Sequence, residues 1–443
     1  MKFFHAFALT SLCAAVSCAA EKSVSAEWPR ILGPADNGTT TESGLVRKFP
    51  AGGLRVVWEM PLGSGMGGPA ISGGRIVVFH RLGEKETVEC RDAATGQHRW
   101  RFDYEAPYQP RYGGGSGPRT SPVIADGRVF VFGVSGHMHC LDLASGKVIW
   151  QHDCAREFSM RPAFFGYGST PLVMGNRVVV QLGGMIEGKP VNSVAFDVAS
   201  GKFLWAARHE WGAGYASSVP ANLHGRECVL VFAGGMSRPP TGGLLVVDAT
   251  DGKVLAAVPH RAEIAESVNA SSPVVASAEP GKPVRIFVSE SYTRGGLCVE
   301  LAKDFSTAKA WDAPNFGMFW MTPLVREGCV FGFAGQSEQL AELVCHDIAS
   351  GRELWRDDLG RKFGRANLLA TAAGVLCLGE FGDLAWLEIT AKGGKVIERA
   401  KLFDAPETWT PPALSHGLLY IQQNEPGREG TKPRLICYDL RAK

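Results

Sequence analysis

The stretch that decides the fold is CLDLASGKVIW, residues 140–150, because CHDIASGRELW repeats it at residues 345–355. The other copies are CRDAATGQHRW (90–100), AFDVASGKFLW (195–205), VVDATDGKVLA (246–256), CVELAKDFSTAKAW (298–311), WLEITAKGGKVI (386–397) and the C-terminal CYDLRAK (437–443). The copies follow one another at roughly fifty-residue spacing, which indicates a repeat architecture around one shared core.

A second recurring phrase precedes many of these copies and has the form of a β-hairpin. It reads GPAISGGRIVVF (68–79), SPVIADGRVFVF (121–132), TPLVMGNRVVVQ (170–181), TPLVREGCVFGF (322–333) and PPALSHGLLYIQ (411–422). Each phrase has a short apolar run, a turn rich in Gly, Asp or Asn, and a β-branched or aromatic run. In the opening motif, Asp142 and Asp347 can accept backbone hydrogen bonds, while Gly146 and Gly351 can take a positive φ. We therefore predict four strands per repeat, with no helical periodicity.

Eight such units predict an all-β fold, an eight-bladed β-propeller of four-stranded antiparallel blades. The last copy lacks the Lys-x-x-Trp strand of the repeat. The segment LRVVWEMPL, residues 54–62, supplies that strand, with Trp58 in the Trp position. We expect the ring to close by pairing of the N-terminal and C-terminal strands, which removes exposed sheet edges.

Residues 1–20 have the form of an export signal peptide, with Lys2 before an apolar run that is too short to span a bilayer. Cleavage could follow Ala20 or Ala26. A second interpretation is a lipoprotein signal with Cys18 as the lipidated residue. We expect residues 21–53 to form an N-terminal lead-in segment and residues 54–443 to form a single propeller domain. The protein is then a monomer without a transmembrane helix, either periplasmic or secreted, or anchored to a membrane as a lipoprotein.

The distribution of charge narrows the class of partner. The 46 basic and 44 acidic residues are spread along the chain without a basic tract, which argues against a nucleic-acid partner.

Five cysteines stand two residues before the acidic position of the repeat, where other copies carry Ala195, Val246 or Trp386, and this indicates buried thiols in a packing site. These are Cys90, Cys140, Cys298, Cys345 and Cys437. The pattern assigns no role to Cys154, Cys228, Cys329 and Cys377.

The repeated motif Asp-x-x-[Ser/Thr]-Gly-Lys-x-x-Trp resembles that of the bacterial PQQ-like β-propeller proteins. The resemblance covers nearly all of the chain after the signal. The segment EWPRILGPADNGTTTESGL, residues 27–45, is similar to the lead-in of exported members. The group includes quinoprotein dehydrogenases, which bind pyrroloquinoline quinone (PQQ), and the lipoprotein scaffold of the outer-membrane protein assembly machinery. The resemblance implies the fold, whereas the function has to be argued from a site.

The loops that enter the innermost strand of each blade should all lie around one mouth of the central channel. Arginines beside aromatic rings in these loops suit a planar or anionic ligand, because guanidinium pairs with carboxylates and stacks on rings. The candidate ligand-binding residues are Arg111, Tyr112, Arg119, Arg161, Tyr167, Trp211, Tyr215, Asn269, Phe319, Trp320, Arg365, Asn367 and Trp409. We predict no metal site, since His137 and His139 lack a third ligand. The repeat aspartates fit turn chemistry better than catalysis.

The hypothesis that follows is an exported binding or scaffold module, which holds a protein or glycan partner on the channel-mouth face. An alternative is a PQQ-dependent dehydrogenase of alcohols or sugars that uses calcium. Against it, the chain has no Cys-Cys pair, no Cys-x-x-Cys-His motif and no recognisable catalytic set or calcium site. If the protein is an enzyme, it is a quinoprotein oxidoreductase. A second alternative is carbohydrate or peptide recognition.

Overall fold

The computed structural model describes residues 26–110, 115–160, 165–337, 339–360, 363–427 and 430–442. Across these residues the chain forms eight four-stranded antiparallel sheets. The innermost strands of neighbouring blades contact one another around a central channel: residues 70–72, for example, contact residues 123–125 and 413–415. The predicted eight-bladed β-propeller is thereby confirmed. The predicted signal peptide, with Cys18, lies outside the described residues.

The first four blades contain strands β2 to β17, each blade running from its innermost strand outward. Blade 1 consists of β2 (Ala70–Ser72), β3 (Arg75–Leu82), β4 (Lys85–Asp92) and β5 (His98–Glu105). Blade 2 consists of β6 (Val123–Ala125), β7 (Arg128–Phe132), β8 (His137–Asp142) and β9 (Val148–Asp153), followed by the one-turn helix α1 (Cys154–Glu157). Blade 3 consists of β10 (Leu172–Met174), β11 (Arg177–Ile186), β12 (Lys189–Asp197) and β13 (Phe203–Ala207). Blade 4 consists of β14 (Val219–Leu223), β15 (Arg226–Ala233), β16 (Gly243–Asp248) and β17 (Val254–Pro259).

The other four blades contain β18 to β32 together with β1. Blade 5 consists of β18 (Val274–Ser277), β19 (Val284–Glu290), β20 (Gly295–Leu301) and β21 (Thr307–Ala313). Blade 6 consists of β22 (Leu324–Arg326), β23 (Cys329–Ala334), β24 (Glu342–Asp347) and β25 (Glu353–Asp357). Blade 7 consists of β26 (Ala366–Thr371), β27 (Gly374–Gly379), β28 (Asp383–Thr390) and β29 (Gly393–Lys401). Blade 8 consists of β30 (Ala413–Ser415), β31 (Leu418–Gln423), β32 (Arg434–Asp439) and β1 (Val56–Pro61).

Where the repeat carries them, the Asp, Gly and Trp residues join one blade to the next. Asp142 accepts a hydrogen bond from the Ser145 backbone N–H at 2.8 Å, which closes the turn. Gly146 in that turn has φ +71°, and a Cβ there would lie 2.5 Å from the ring of Trp100 in the preceding blade. The Trp100 indole N–H donates to the Leu143 carbonyl of the same turn at 2.9 Å. Only glycine fits both the backbone conformation and the close approach of the ring, so Gly and Trp recur together.

The ring closes through the N-terminal strand, as predicted. β1 pairs antiparallel with β32, and Trp58 stands opposite Cys437. The Trp58 indole N–H donates to the Ala93 carbonyl of blade 1 at 2.9 Å. Trp58 therefore joins the last blade to the first in the way that Trp100 joins blade 1 to blade 2.

All nine cysteines of the described residues are buried, with free thiols. The prediction of buried thiols is confirmed at the five repeat positions, and Cys154, Cys228, Cys329 and Cys377 are buried as well. Burial raises the pKa of Cys90 and Cys140 to about 12, because a thiolate loses its hydration inside the sheet packing. Within the described part of the chain, no helix has the length and apolar character needed to cross a membrane.

These thiols should resist alkylation while the protein is folded. Iodoacetamide reacts with the thiolate. The raised pKa suppresses that form, and burial also keeps the reagent away from the sulfur. We expect the intact mass of the native protein to stay unmodified at the nine sites after treatment at mildly alkaline pH. In denaturant all nine should be alkylated. Rapid labelling of the native protein at Cys90 or Cys140 would contradict the buried packing site.

Candidate binding site at the channel mouth

The central channel holds a cavity of about 260 Å³. Its wall is built mainly from the loops that lead into the innermost strands around the ring, from Met66 before blade 1 and Arg119 before blade 2 to Trp409 before blade 8, and the wall is mostly apolar. Besides five residues of the lead-in, the residues that line it are Met66, Arg119, Phe165, Gly168, Tyr215, Ser217, Val268, Ala270, Ser272, Tyr292, Phe319, Trp320, Thr322, Pro323, Leu324, Asn367, Leu368, Leu369, Trp409, Pro411 and Pro412. Of the described residues on this wall, Arg119 alone carries a charge. Such a wall suits binding of an apolar body better than acid–base chemistry.

The lead-in forms part of the cavity on the side away from the mouth. The backbones of Trp28 and Ile71 exchange two hydrogen bonds, at 3.0 and 2.7 Å. The Pro29 carbonyl accepts from the Ile124 N–H at 2.9 Å. Ile71 and Ile124 lie in the innermost strands of blades 1 and 2. The lead-in therefore pairs with these two strands on the side that faces the channel.

Further along, the same segment reaches blades 7 and 8, on the other side of blade 1 from blade 2. The Gly38 carbonyl accepts from the Ala370 N–H at 2.9 Å, in the innermost strand of blade 7. The Glu42 carboxylate accepts from the backbone N–H groups of His416 and Gly417, at 2.8 and 2.6 Å, at the hairpin turn of blade 8. Between these anchors, the side chains of Ile31 and Leu32 line the cavity. The lead-in is thus the floor of a recess that opens at the mouth.

Three aromatic rings of the mouth gather around one guanidinium. Trp320 and Trp409 stack with their centroids 4.5 Å apart, and Phe319 meets both rings edge-on. The Arg365 guanidinium carbon lies 4.5 Å from the Trp320 ring centroid, 5.3 Å from that of Trp409 and 5.4 Å from that of Phe319. The rings line the cavity, whereas Arg365 lies behind them and is 8% exposed. We call these four residues the aromatic–arginine cluster.

A buried carboxylate fixes Arg365 in this place. One oxygen of Glu380 accepts from the Arg365 backbone N–H at 2.9 Å. The other accepts from Nε at 3.0 Å and lies 2.9 Å from Nη2. Glu380 is 1% exposed and follows directly after strand β27. The charge of Arg365 is therefore already matched inside the protein.

A second group at the mouth is formed by Arg119, Phe165 and Tyr215. The Arg119 guanidinium lies 5.5 Å over the Phe165 ring and donates to the Gly117 carbonyl at 2.9 Å. The Tyr215 hydroxyl accepts from the Phe165 backbone N–H at 3.1 Å. Burial raises the pKa of Tyr215 to about 12 and lowers that of Arg119, because each charged form loses hydration. Tyr215 is therefore a neutral phenol at physiological pH.

The remaining candidate residues divide into wall, interior and undescribed positions. Asn367 lines the cavity, and its amide donates to the Trp409 carbonyl at 3.2 Å. Asn269 is fully buried and donates to the Phe232 and Ala233 carbonyls at 3.1 and 2.9 Å. Tyr167 and Trp211 are buried and do not contribute to the described wall. Arg111, Tyr112 and Arg161 lie outside the described residues.

Sequence reasoning missed the floor and the counter-charge. Trp28, Ile31 and Leu32 are apolar residues in a segment interrupted by prolines, and that apolar content was the available signal for packing. Glu380 ends the apolar run GVLCLG of β27, and a lone acid at a buried strand end indicates a buried partner. Neither signal names the contact that the residue makes.

In the described part of the chain, no three His, Cys, Asp or Glu side chains come together as metal ligands could. His137 and His139 have their ring centroids 6.4 Å apart. The His139 ring lies 4.3 Å from that of Tyr104, and burial lowers the His139 pKa to about 4. These histidines pack against an aromatic neighbour within blades 1 and 2.

Residues 84–357 match the model of the family described as outer membrane protein assembly factor BamB. No curated protein gives a significant match to the chain. Among solved structures, BamB from Moraxella catarrhalis is similar at 14% identity and a TM-score of 0.55, over 88% of this chain and 98% of that one.

Two further solved structures with similar folds are an enzyme and a designed protein. Quinohemoprotein alcohol dehydrogenase from Comamonas testosteroni has 14% identity and a TM-score of 0.66, over 94% of this chain and 81% of that one. The computationally designed Ika8 protein has 12% identity and a TM-score of 0.52, over 90% of this chain and all of the other. At such identities the likeness shows the fold alone, and a designed chain shares it.

Proposed function

This chain belongs to the family described as outer membrane protein assembly factor BamB, and from that premise we propose that it is an exported binding module that holds a protein partner on its channel-mouth face. The observation that carries the proposal is the recess itself. It has a floor made by the lead-in, an apolar wall and a rim of aromatic rings. Aromatic side chains around a concave, preformed site are typical of binding surfaces, because they add contact area at low entropic cost.

The dehydrogenase alternative fits the described wall poorly. PQQ carries several carboxylates, and calcium requires carboxylate or carbonyl oxygen ligands. The described wall offers one cationic side chain, Arg119, and no acidic one. Arg365, the other arginine at this mouth that the structure describes, has its charge matched by Glu380. The described residues therefore do not fit the quinone with calcium, and we derive no redox step for this chain.

Glycan recognition is also less well supported than protein binding. Sugars bind to the open faces of aromatic rings. Trp320 and Trp409 stack on each other, and Arg365 covers further ring surface. Trp211 is 7% exposed and packs against His209 at 4.5 Å between ring centroids. Export rests on residues 1–20 and remains part of the proposal, as does a monomeric state.

Site-specific photo-crosslinking in cells of the native host tests the proposal. A benzophenone amino acid in place of Tyr292 sits at the rim, where this half-buried ring lines the cavity. The matched control is the same amino acid in place of Ile397, which is exposed on the outermost strand of blade 7. We expect light-dependent adducts of one identifiable exported protein from position 292 and none from position 397.

The purified partner should then bind the wild-type chain in solution. Competition with an excess of unmodified chain should remove the adduct, because specific sites saturate. Adducts of equal yield at both positions, or none at the rim, would overturn the proposal.

A further inference from the structure

One turn on the mouth face, between β19 and β20 of blade 5, has a strained backbone. The Arg294 N–H donates to the Ser291 carbonyl at 3.4 Å, which closes the turn. The two central residues, Tyr292 and Thr293, have φ +60° and +66°. This left-handed conformation is unfavourable for any residue with a Cβ, and for a β-branched residue such as Thr293 it is a genuine outlier.

Comparable hairpin turns of this chain avoid the strain with glycine. In five two-residue turns a non-glycine residue with positive φ is followed directly by glycine, also with positive φ. These turns are Asp126–Gly127, Glu187–Gly188, His224–Gly225, Glu327–Gly328 and His416–Gly417. Among the described residues, Tyr292 and Thr293 form the one pair of successive non-glycine residues with positive φ. Asn-Gly is the dipeptide that suits such a turn best, so blade 5 departs from the favourable choice.

Contacts at the base of the turn hold it in this conformation. Glu290 directly precedes the turn, is fully buried and pairs with Arg261 at 2.8 Å. The same carboxylate accepts from the Ala262 N–H at 3.0 Å and from the Ser267 hydroxyl at 2.5 Å. Strained backbone persists where the surrounding structure fixes it, and such positions cluster at functional sites. The blade-5 turn meets the first of these conditions.

The strained turn places the Tyr292 ring at the rim of the recess. The ring lines the cavity, and its centroid lies 5.7 Å from that of the Phe319 ring. Tyr292 is half-buried, so packing within the protein covers only part of its surface. Burial raises the pKa of Tyr292, and the hydroxyl is therefore neutral at physiological pH. The turn thus presents a neutral aromatic ring to whatever enters the recess.

We propose that Tyr292 is the rim residue on which contact with the partner depends, and that the chain keeps the strained turn because it holds this ring in place. The inference rests on the proposed function, and it goes further by naming the contact residue and the group it meets. The cavity of about 260 Å³ admits a single protruding group of a folded partner. That group packs on the Tyr292 ring, and tyrosine is among the residues that contribute most to binding energy at interfaces.

Photo-crosslinking from a second wall position tests the dependence on Tyr292. The benzophenone amino acid replaces Met66, which lines the cavity from the loop before blade 1. In cells of the native host, Tyr292→Asn should lower the yield of the partner adduct about tenfold, because the ring is lost. Tyr292→Phe keeps the ring and should leave the yield within about twofold of that of the wild type. The benzophenone ring at position 292 is aromatic as well and should keep the contact.

The melting temperature of the purified chain tests the strain without any partner. Tyr292→Asn combined with Thr293→Gly builds the preferred turn, and we expect it to raise the melting temperature by about 2 °C. Its adduct yield from Met66 should fall as far as that of Tyr292→Asn. The matched control Glu327→Asn builds the same dipeptide with Gly328 in an exposed turn of blade 6, and it should leave the adduct yield unchanged.

The outcomes separate the inference from the proposed function. Adducts from Met66 that persist undiminished in Tyr292→Asn would remove the inference and leave the proposed function intact. A melting temperature of the Asn-Gly turn below that of the wild type would show that packing of Tyr292 repays the turn, and it would also remove the inference. If the otherwise unaltered chain gave no adducts from position 66 or 292, the proposed function would fail and the inference with it.

Discussion

Replacing Trp58 by alanine is expected to lower the free energy of unfolding by about 3–5 kcal/mol, as is usual for a buried tryptophan. Trp58 is 9% exposed and packs on Gly96, where a Cβ would lie 2.7 Å from its ring. Its indole N–H also satisfies the Ala93 carbonyl at 2.9 Å. The substitution opens a cavity at the seam between blades 8 and 1 and removes one of the two donors to that carbonyl, which keeps the Tyr420 hydroxyl at 3.0 Å.

Urea unfolding followed by circular dichroism measures this loss. The control Val56→Ala lies on the same strand, where Val56 is 47% exposed, and it should change stability by no more than about 0.5 kcal/mol. Hydrogen exchange gives a local readout, because opening of the seam should speed exchange in β1 and β32 before it does so in blade 4. If Trp58→Ala cost no more than Val56→Ala, the closure would not depend on this residue.

The closure was predictable because most blades use the same local chemistry. An Asp that closes a turn, a Gly with positive φ and a Trp that packs on the next Gly are all fixed by residue type and spacing. An outermost strand missing from the last repeat and a spare Trp strand near the other terminus then leave a single way to complete the ring.

The recess was predictable only in part. Topology places the loops before the innermost strands on one face, so Phe319, Trp320 and Trp409 could be assigned to the mouth from the sequence. The stacking of Trp320 on Trp409 joins two loops far apart in the chain, and no local pattern specifies it. The floor was missed for the same reason, since Trp28 is held by Ile71 of blade 1 through long-range backbone pairing.

Arg365 has a structural role at this mouth, because its charge is paired with the buried carboxylate of Glu380. Arg365 is held by Glu380 beneath the aromatic rings, and the pair is 10% and 1% exposed at its side chains. Replacing Glu380 by methionine leaves a guanidinium buried without its carboxylate. Breaking a buried pair in this way typically costs about 3–5 kcal/mol, because the remaining charge has lost both water and its partner.

The double substitution Arg365→Met with Glu380→Met should cost less than Glu380→Met alone. Neither charge then remains to be desolvated, and two methionines fill similar volume among the rings. Urea unfolding of the wild type, both single variants and the double variant forms the cycle that measures the coupling. The control is Glu279→Met, which breaks an exposed pair with Lys282 and should leave stability almost unchanged.

The same double variant decides whether the Arg365 charge takes part in binding. Its crosslinking at position 292 should match that of the wild type, because the rings line the cavity and Arg365 lies behind them. A stable double variant that loses the crosslink would show that the charge acts on the partner through the rings. A double variant less stable than Glu380→Met would contradict the view of Glu380 as the counter-charge, since removing both charges would then cost more than stranding one.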